Sequence, residues 1–263
     1  MMTGSLPPLS GFAQLAPGEV WLVGAGPGDP GLLTLLGLSA LQQADVVVHD
    51  ALLGTEILDW VREGAEVVYA GKRGGTASPK QVDISAQLIT LAKAGKRVVR
   101  LKGGDPLVFG RGGEEALALL EAGVRFRFVP GVSSGLGGLA YAGIPLTHRS
   151  TNSAVTFITG HSVTGDVPDN VDWAGLAISS PALVIFMAIK HLEPIMETLL
   201  KAGRPAEEPV AVIQNATMAN MRVLETTVGQ TAADVRAHNF GSPALIAIGA
   251  NVALRGQLNW LGL

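Results

Sequence analysis

Short apolar runs recur along the first half of the chain at positions 20–23, 45–49, 66–69, 97–101 and 126–129. Between them, residues 32–43, 81–94 and 113–122 space their apolar side chains at helical period. The runs are continuous rather than alternating, as strands are when both faces of a sheet are covered, so the pattern predicts a mostly parallel sheet flanked by helices. Beyond Pro130-Gly131 further strands are predicted at 155–159, 182–187, 210–214, 223–227 and 245–249, with helices at 133–142, 192–201 and 231–238. The runs at 155–159 and 223–227 mix polar with apolar residues, so this second sheet is expected to contain antiparallel pairs. The reading is an α/β chain in two domains: a disordered leader over 1–16, an N-terminal domain over 17–131 and a C-terminal domain over 132–263, divided at the Pro-Gly punctuation.

Composition narrows the class. A chain of 263 residues that is 48% hydrophobic and 16% charged buries a sizeable core. It has no cysteine, which excludes disulfides and thiolate chemistry and suits a reducing cytoplasm. The first sixteen residues lack the basic start and apolar core of a secretion signal, and the longest apolar run, 182–189, is too short to span a bilayer. The net charge of −3 argues against a nucleic-acid binder. Yet residues 72–149 hold twelve Lys or Arg against five Asp or Glu, a local +7 that leaves −10 for the rest. Basicity near glycine-rich turns suits an acidic small molecule.

Residues 101–115 read Leu-Lys-Gly-Gly-Asp-Pro-Leu-Val-Phe-Gly-Arg-Gly-Gly-Glu-Glu. A strand empties there into Gly103-Gly104, where no side chain bars a ligand from the backbone. Asp105 follows, then a second glycine-lined turn that presents Arg111 and Glu114. The turn after the first strand, Gly24-Ala25-Gly26-Pro27-Gly28-Asp29, departs from a dinucleotide fingerprint: Asp29 stands where the third glycine belongs, and a carboxylate repels a pyrophosphate. Asp50 sits where a ribose-binding acid would, which keeps an NAD-dependent dehydrogenase as an alternative. Gly71-Lys72-Arg73-Gly74-Gly75 lacks the upstream glycine and the Ser or Thr of a phosphate-binding loop. The five histidines show no metal-ligand spacing, so no metal is expected. Met187, at the carboxyl end of the 182–187 run, is placed to line a cleft.

Four segments together resemble the tetrapyrrole methylases, most closely the branch acting on uroporphyrinogen III. They are 24–35 (Gly-Ala-Gly-Pro-Gly-Asp-Pro-Gly-Leu-Leu-Thr-Leu), 71–75, 101–115 and 143–149 (Gly-Ile-Pro-Leu-Thr-His-Arg), with support from 129–134 and Thr159-Gly160-His161. The likeness runs from about Glu19 to Trp260. It implies a two-domain α/β fold, usually a homodimer, with S-adenosylmethionine in the cleft between domains. It also implies methylation of uroporphyrinogen III at C-2 and then C-7, giving precorrin-2 via precorrin-1 for sirohaem or cobalamin. By position, the family's cofactor contacts fall on Pro27, Gly103, Gly104, Asp105, Val108, Ser133, Ser134, Met187, Ala216 and Ala244. Its acid–base and substrate groups fall on Asp50, Lys72, Arg111, Glu114 and Arg149. Two departures are visible: Ser150 replaces an acidic residue common after Thr-His-Arg, and Met218-Ala219-Asn220-Met221 lacks the usual Pro and Gln. No dehydrogenase or chelatase segment accompanies the motifs, so methylation is the expected sole chemistry. Alternatives are a methyltransferase of a later corrin intermediate, against which the 102–115 motif argues, and a tetrapyrrole carrier that binds without S-adenosylmethionine.

Overall fold

Five parallel strands, in the order β3-β2-β4-β1-β5, build the first half of the computed structural model. In chain order the elements are β1 (Glu19–Gly24), α1 (Leu35–Leu41), β2 (Val46–His49), β3 (Glu66–Tyr69), α2 (Gln81–Lys93), β4 (Val98–Lys102), α3 (Gly112–Glu121) and β5 (Arg125–Val129). The structure describes residues 11–51, 53–70, 81–162 and 165–263. Trp21, Val23, Val99 and Leu101 pack on one face against Ala40 and Leu41 of α1. Val20, Leu22, Val46 and Val98 pack on the other against Leu88 of α2 and Leu119 of α3. Successive residues of one strand are therefore buried on opposite sides, which is why the runs are apolar without alternation. Each such side chain contributes roughly 1.5–3 kcal/mol of burial.

Two expectations shift. Helix α1 begins at Leu35 rather than at 32, because Pro30–Leu32 forms a separate 3-10 turn and Thr34 then caps the helix, its hydroxyl accepting from Gly37 N at 3.0 Å. The leader, expected to be disordered to residue 16, lies outside the described residues over 1–10. By Leu15 the chain is packed: its side chain is buried with Trp21 and Val23, and its N–H donates to Gln43 Oε1 at 2.9 Å.

Contacts divide the chain after Ser133. The second unit holds α4 (Ser134–Tyr141), β6 (Thr156–Thr159), α5 (Trp173–Ser179), β7 (Ala182–Phe186), α6 (Leu192–Lys201), β8 (Pro209–Gln214), β9 (Arg222–Thr227), α7 (Thr231–Ala237), β10 (Ala244–Gly249) and α8 (Arg255–Leu258). Its sheet runs β6-β7-β10-β8-β9 and is mixed: β6 and β7 are parallel, and the other three pairs are antiparallel. The polar character of β6 and β9 reflects their edge positions, since β6 itself pairs in parallel. One face packs on α6 through Ile195, Met196 and Leu199 and on α7 through Val235. On the other, Gly135 and Gly138 let α4 approach closely, since a Cβ there would stand 2.7 Å from Phe186 and 2.8 Å from Ala216. Among the described residues no helix is long and apolar enough to cross a membrane.

The amino ends of β2 and β4 are tied by Asp45. Its carboxylate accepts from the Arg97 backbone N–H at 2.9 Å, from Arg97 Nη2 at 2.7 Å and from Arg62 Nη2 at 2.9 Å. The Arg97 side-chain hydrogen bond holds the Asp45 carboxyl well below the usual carboxylate range. A depressed folded pKa contributes stability that is complete above the unfolded value and is lost as pH falls through the folded one. Asp45→Asn should therefore cost about 1–3 kcal/mol near pH 7. The gap to the parent should narrow steadily below the ordinary value of 3.8. Urea unfolding of both proteins at neutral and acid pH checks this; a gap independent of pH would contradict it.

Candidate active site

The loops leaving β1, β4 and β5 meet at the carboxyl edge of the parallel sheet, where ligands of open α/β sheets gather. Gly26 and Gly104 bridge their backbones: Gly104 N donates to Gly26 O at 2.7 Å, and Gly26 N to Gly104 O at 3.2 Å. A Cβ on Gly24 would stand 2.6 Å from the Gly104 carbonyl oxygen, and one on Gly131 only 2.3 Å from it. Gly104 itself has φ of +68°. Glycine is thus required where three backbones touch. Asp105 reinforces the junction, one carboxylate oxygen accepting from Gly131 N at 3.0 Å and the other from Leu107 N at 2.8 Å. This bridge carries Pro27 to the side of Gly103 and Gly104. Val108 follows in the same turn, its N–H on Asp105 O at 3.4 Å.

Arg111 precedes α3 in the left-handed region, with φ of 60°, a conformation that residues other than glycine seldom adopt. Its guanidinium grips Glu114 in two-point fashion, Nε on Oε1 at 3.0 Å and Nη2 on Oε2 at 2.6 Å, and both side chains are about half exposed. The pairing raises the Arg111 pKa and lowers that of Glu114, with the mutual hydrogen bond the leading cause for each. Glu114 is therefore a poor proton acceptor near neutrality.

Asp50 lies at the end of β2 beside a buried ionic cluster. Arg100 Nη2 pairs with Asp50 Oδ1, and Arg100 Nε donates to Glu115 Oε1 at 3.0 Å. Lys102 Nζ is 3.1 Å from Glu115 Oε2 and 3.9 Å from Asp50 Oδ2. Arg100, Lys102 and Glu115 are almost wholly buried, whereas the Asp50 side chain remains 31% exposed. Burial, and then the neighbouring Arg100 charge, push the Lys102 ammonium pKa down. The cluster follows from register: Val48 faces Arg100, so Asp50 falls beside Lys102, and α3 brings Glu115 over the same face. The sequence reading left Arg100, Lys102 and Glu115 without a role. The available signal was two cations at strand period in an apolar run, with a carboxylate one turn into the next helix.

Lys72 lies outside the described residues. Ser133 is buried at the end of the first unit. In the second unit the register aligns three of the remaining candidates. Leu245 faces Phe186 and Ala244 faces Gln214, so Met187, Ala244 and Ala216 share one end of the sheet. Met187 has φ of 55° and is 47% exposed, and Asn215 and Thr217 on either side of Ala216 also have positive φ. Non-glycine residues in this region cluster where a surrounding structure imposes them, commonly at binding sites. Ser134 opens α4, which Gly135 seats on Phe186. Arg149 is exposed in the tight turn His148–Asn152, where the Ser150 hydroxyl meets His148 Nδ1 at 2.7 Å.

Residues 19–232 match the family model for Tetrapyrrole (Corrin/Porphyrin) Methylases. A uroporphyrinogen-III C-methyltransferase from Sinorhizobium sp is 56% identical over 96% of this chain and 90% of its own length. Siroheme synthase 1 of Yersinia enterocolitica is 50% identical over 93% of this chain, which spans only 51% of that longer protein. Among solved structures, uroporphyrin-III C-methyl transferase from Thermus thermophilus, complexed with S-adenyl homocysteine, superposes with a TM-score of 0.78 at 38% identity, covering 90% of this chain and 99% of that one. A cobalt precorrin-4 methyltransferase superposes at 0.79 with 28% identity, covering 89% and 96%.

Gly131 within the glycine junction and Gly113 outside it should respond to alanine with opposite sign. Gly131→Ala forces its methyl into the Gly104 carbonyl and should cost about 1–3 kcal/mol. Gly113→Ala, in α3 with open space around its Cβ position and no positive φ, should add up to about 1 kcal/mol. Thermal melting of both variants decides; equal effects would refute the junction.

Proposed function

Because the chain belongs to the tetrapyrrole (corrin/porphyrin) methylases, we propose that it methylates uroporphyrinogen III at C-2 and C-7, giving precorrin-2 by way of precorrin-1. What carries the reading is the near-full-length match to the Sinorhizobium enzyme. The glycine junction at the carboxyl edge of the parallel sheet supports it, offering bare backbone at Gly103 and Gly104. Bare backbone between turns fits a ligand with adenosine and amino-acid ends, and S-adenosylmethionine, when bound, supplies an electrophilic sulfonium methyl. We assign its contacts to Pro27, Gly103, Gly104, Asp105 and Val108, with Ser133, Ser134, Met187, Ala216 and Ala244. Asp105 acts as the brace of the turn.

Carbon methylation breaks a carbon–sulfur bond, forms a carbon–carbon bond and leaves the macrocycle cationic until it sheds a proton. Positioning and exclusion of water supply most of the acceleration. A carboxylate facing the ring stabilises the developing charge and offers an acceptor for the departing proton. Asp50, the more buried of the two candidate carboxylates and the one held at the end of β2 by Arg100, takes this role. Arg111, Arg149 and Lys72 are assigned to the substrate's carboxylates, for which a guanidinium provides a two-point partner. A homodimer is the proposed assembly. The exposed Leu136, Leu258 and Trp260, which line a groove of about 550 Å³ in the second unit, give it a surface to cover. The cytoplasm is the proposed compartment.

Calorimetric titration tests the cofactor assignment: S-adenosylhomocysteine should bind and NAD should not. Gly104→Val should abolish that binding, since a branched residue is strained at positive φ and fills the space beside the backbone. Retained affinity in Gly104→Val would remove the turn from the cofactor site. Arg111→Ala should leave melting nearly unchanged, because an exposed ion pair contributes little. Its kcat/KM should fall about tenfold to hundredfold, the loss of one charge-assisted hydrogen bond. Normal turnover in Arg111→Ala would exclude the substrate contact.

A further inference from the structure

The ionic cluster behind Asp50 has a structure that stability does not explain. Two cations and two carboxylates balance to zero, and three of the four side chains are at most 4% exposed. Taking such charges out of water costs several kcal/mol each, and well-packed apolar residues commonly do as well or better. Only Asp50 reaches the surface, and it does so at the carboxyl edge, level with Lys102 on the neighbouring strand and two residues short of Gly104 and its bridge to Gly26. Glu115 is the keystone. It has no exposed surface of its own, and it holds Arg100 Nε at 3.0 Å and Lys102 Nζ at 3.1 Å, the two cations that reach on to Asp50. Arg100 Nη1 also donates to the carbonyls of Val48 and Leu101, both at 3.4 Å, while Nη2 pairs with Asp50.

We propose that Glu115 is a positioning residue for methyl transfer: through Arg100 and Lys102 it fixes the Asp50 carboxylate where it faces the substrate. The same contacts join the two ends of the 102–115 segment, so the loop bearing Gly104 and Arg111 is closed at its base by a buried pair. The proposal rests on the role given to Asp50 above.

A double-mutant cycle on purified full-length protein tests it, reading kcat and KM for uroporphyrinogen III, S-adenosylhomocysteine affinity and melting for each member. Asp50→Asn and Glu115→Gln should each lower kcat about 10- to 100-fold, with cofactor affinity held within about threefold. Combined, they should cost little more than either alone, since both remove the same placed carboxylate. Should Glu115→Gln fail to fold, Lys102→Met/Glu115→Gln keeps the buried charge balanced and should show the same non-additivity with Asp50→Asn. Multiplicative losses in kcat, or losses that track melting, would overturn the proposal while leaving Asp50 in place. Undiminished turnover in Asp50→Asn would overturn it from the other side, and the assignment of Asp50 would fall with it.

Discussion

Three backbones in contact at Gly24, Gly104 and Gly131 set the geometry on which the rest of the first unit depends. No side chain fits between them, so the loops after β1, β4 and β5 cannot separate or slide without losing the Gly26–Gly104 bridge and the Asp105 brace. Everything carried by those loops inherits this fixed origin: Pro27 on one, Val108 and Arg111 on another, Ser133 on the third. A contact so tight leaves little conformational freedom at this edge, and a preordered edge lowers the ordering cost of any ligand it binds.

Charge is used in two ways in this unit. At the amino ends of β2 and β4, Asp45 binds two arginines in a partly solvated setting, a fastening between strands far from the ligand edge. At the carboxyl ends, a neutral group of four ionised side chains is buried, and one member emerges beside the glycine junction. The first arrangement serves the fold. The second is costly to bury, and it fixes one carboxylate at the carboxyl edge, an arrangement that favours precision of placement over stability.

Most of the fold was legible in the sequence because the strands are buried on both faces, and continuous apolar runs such as 20–23 and 182–187 have few other readings. Helix α5 was not. Its seven residues, Trp-Ala-Gly-Leu-Ala-Ile-Ser, are short of polar contrast, and its clearest signal was the Asp172 cap, which accepts from Gly175 N. The 3-10 turn at Thr55–Trp60 is likewise too short to show a period. Within the candidate site, glycine pairs and Asp105 marked the place but not the division of labour. Asp105 braces its loop through Gly131 N and Leu107 N, contacts that a Gly-Gly-Asp sequence does not disclose. Arg100 and Lys102 went unassigned because a cation in an apolar strand gains meaning only when register supplies its partner.

Methyl transfer to a reduced tetrapyrrole at this edge is open to direct measurement. Incubating the protein anaerobically with uroporphyrinogen III and methyl-labelled S-adenosylmethionine, followed by mass analysis of the macrocycle, tests it most directly. Two labelled methyl groups are expected on each product molecule, with a singly methylated species appearing first. Recovery of unmodified macrocycle from folded protein saturated with cofactor would contradict it.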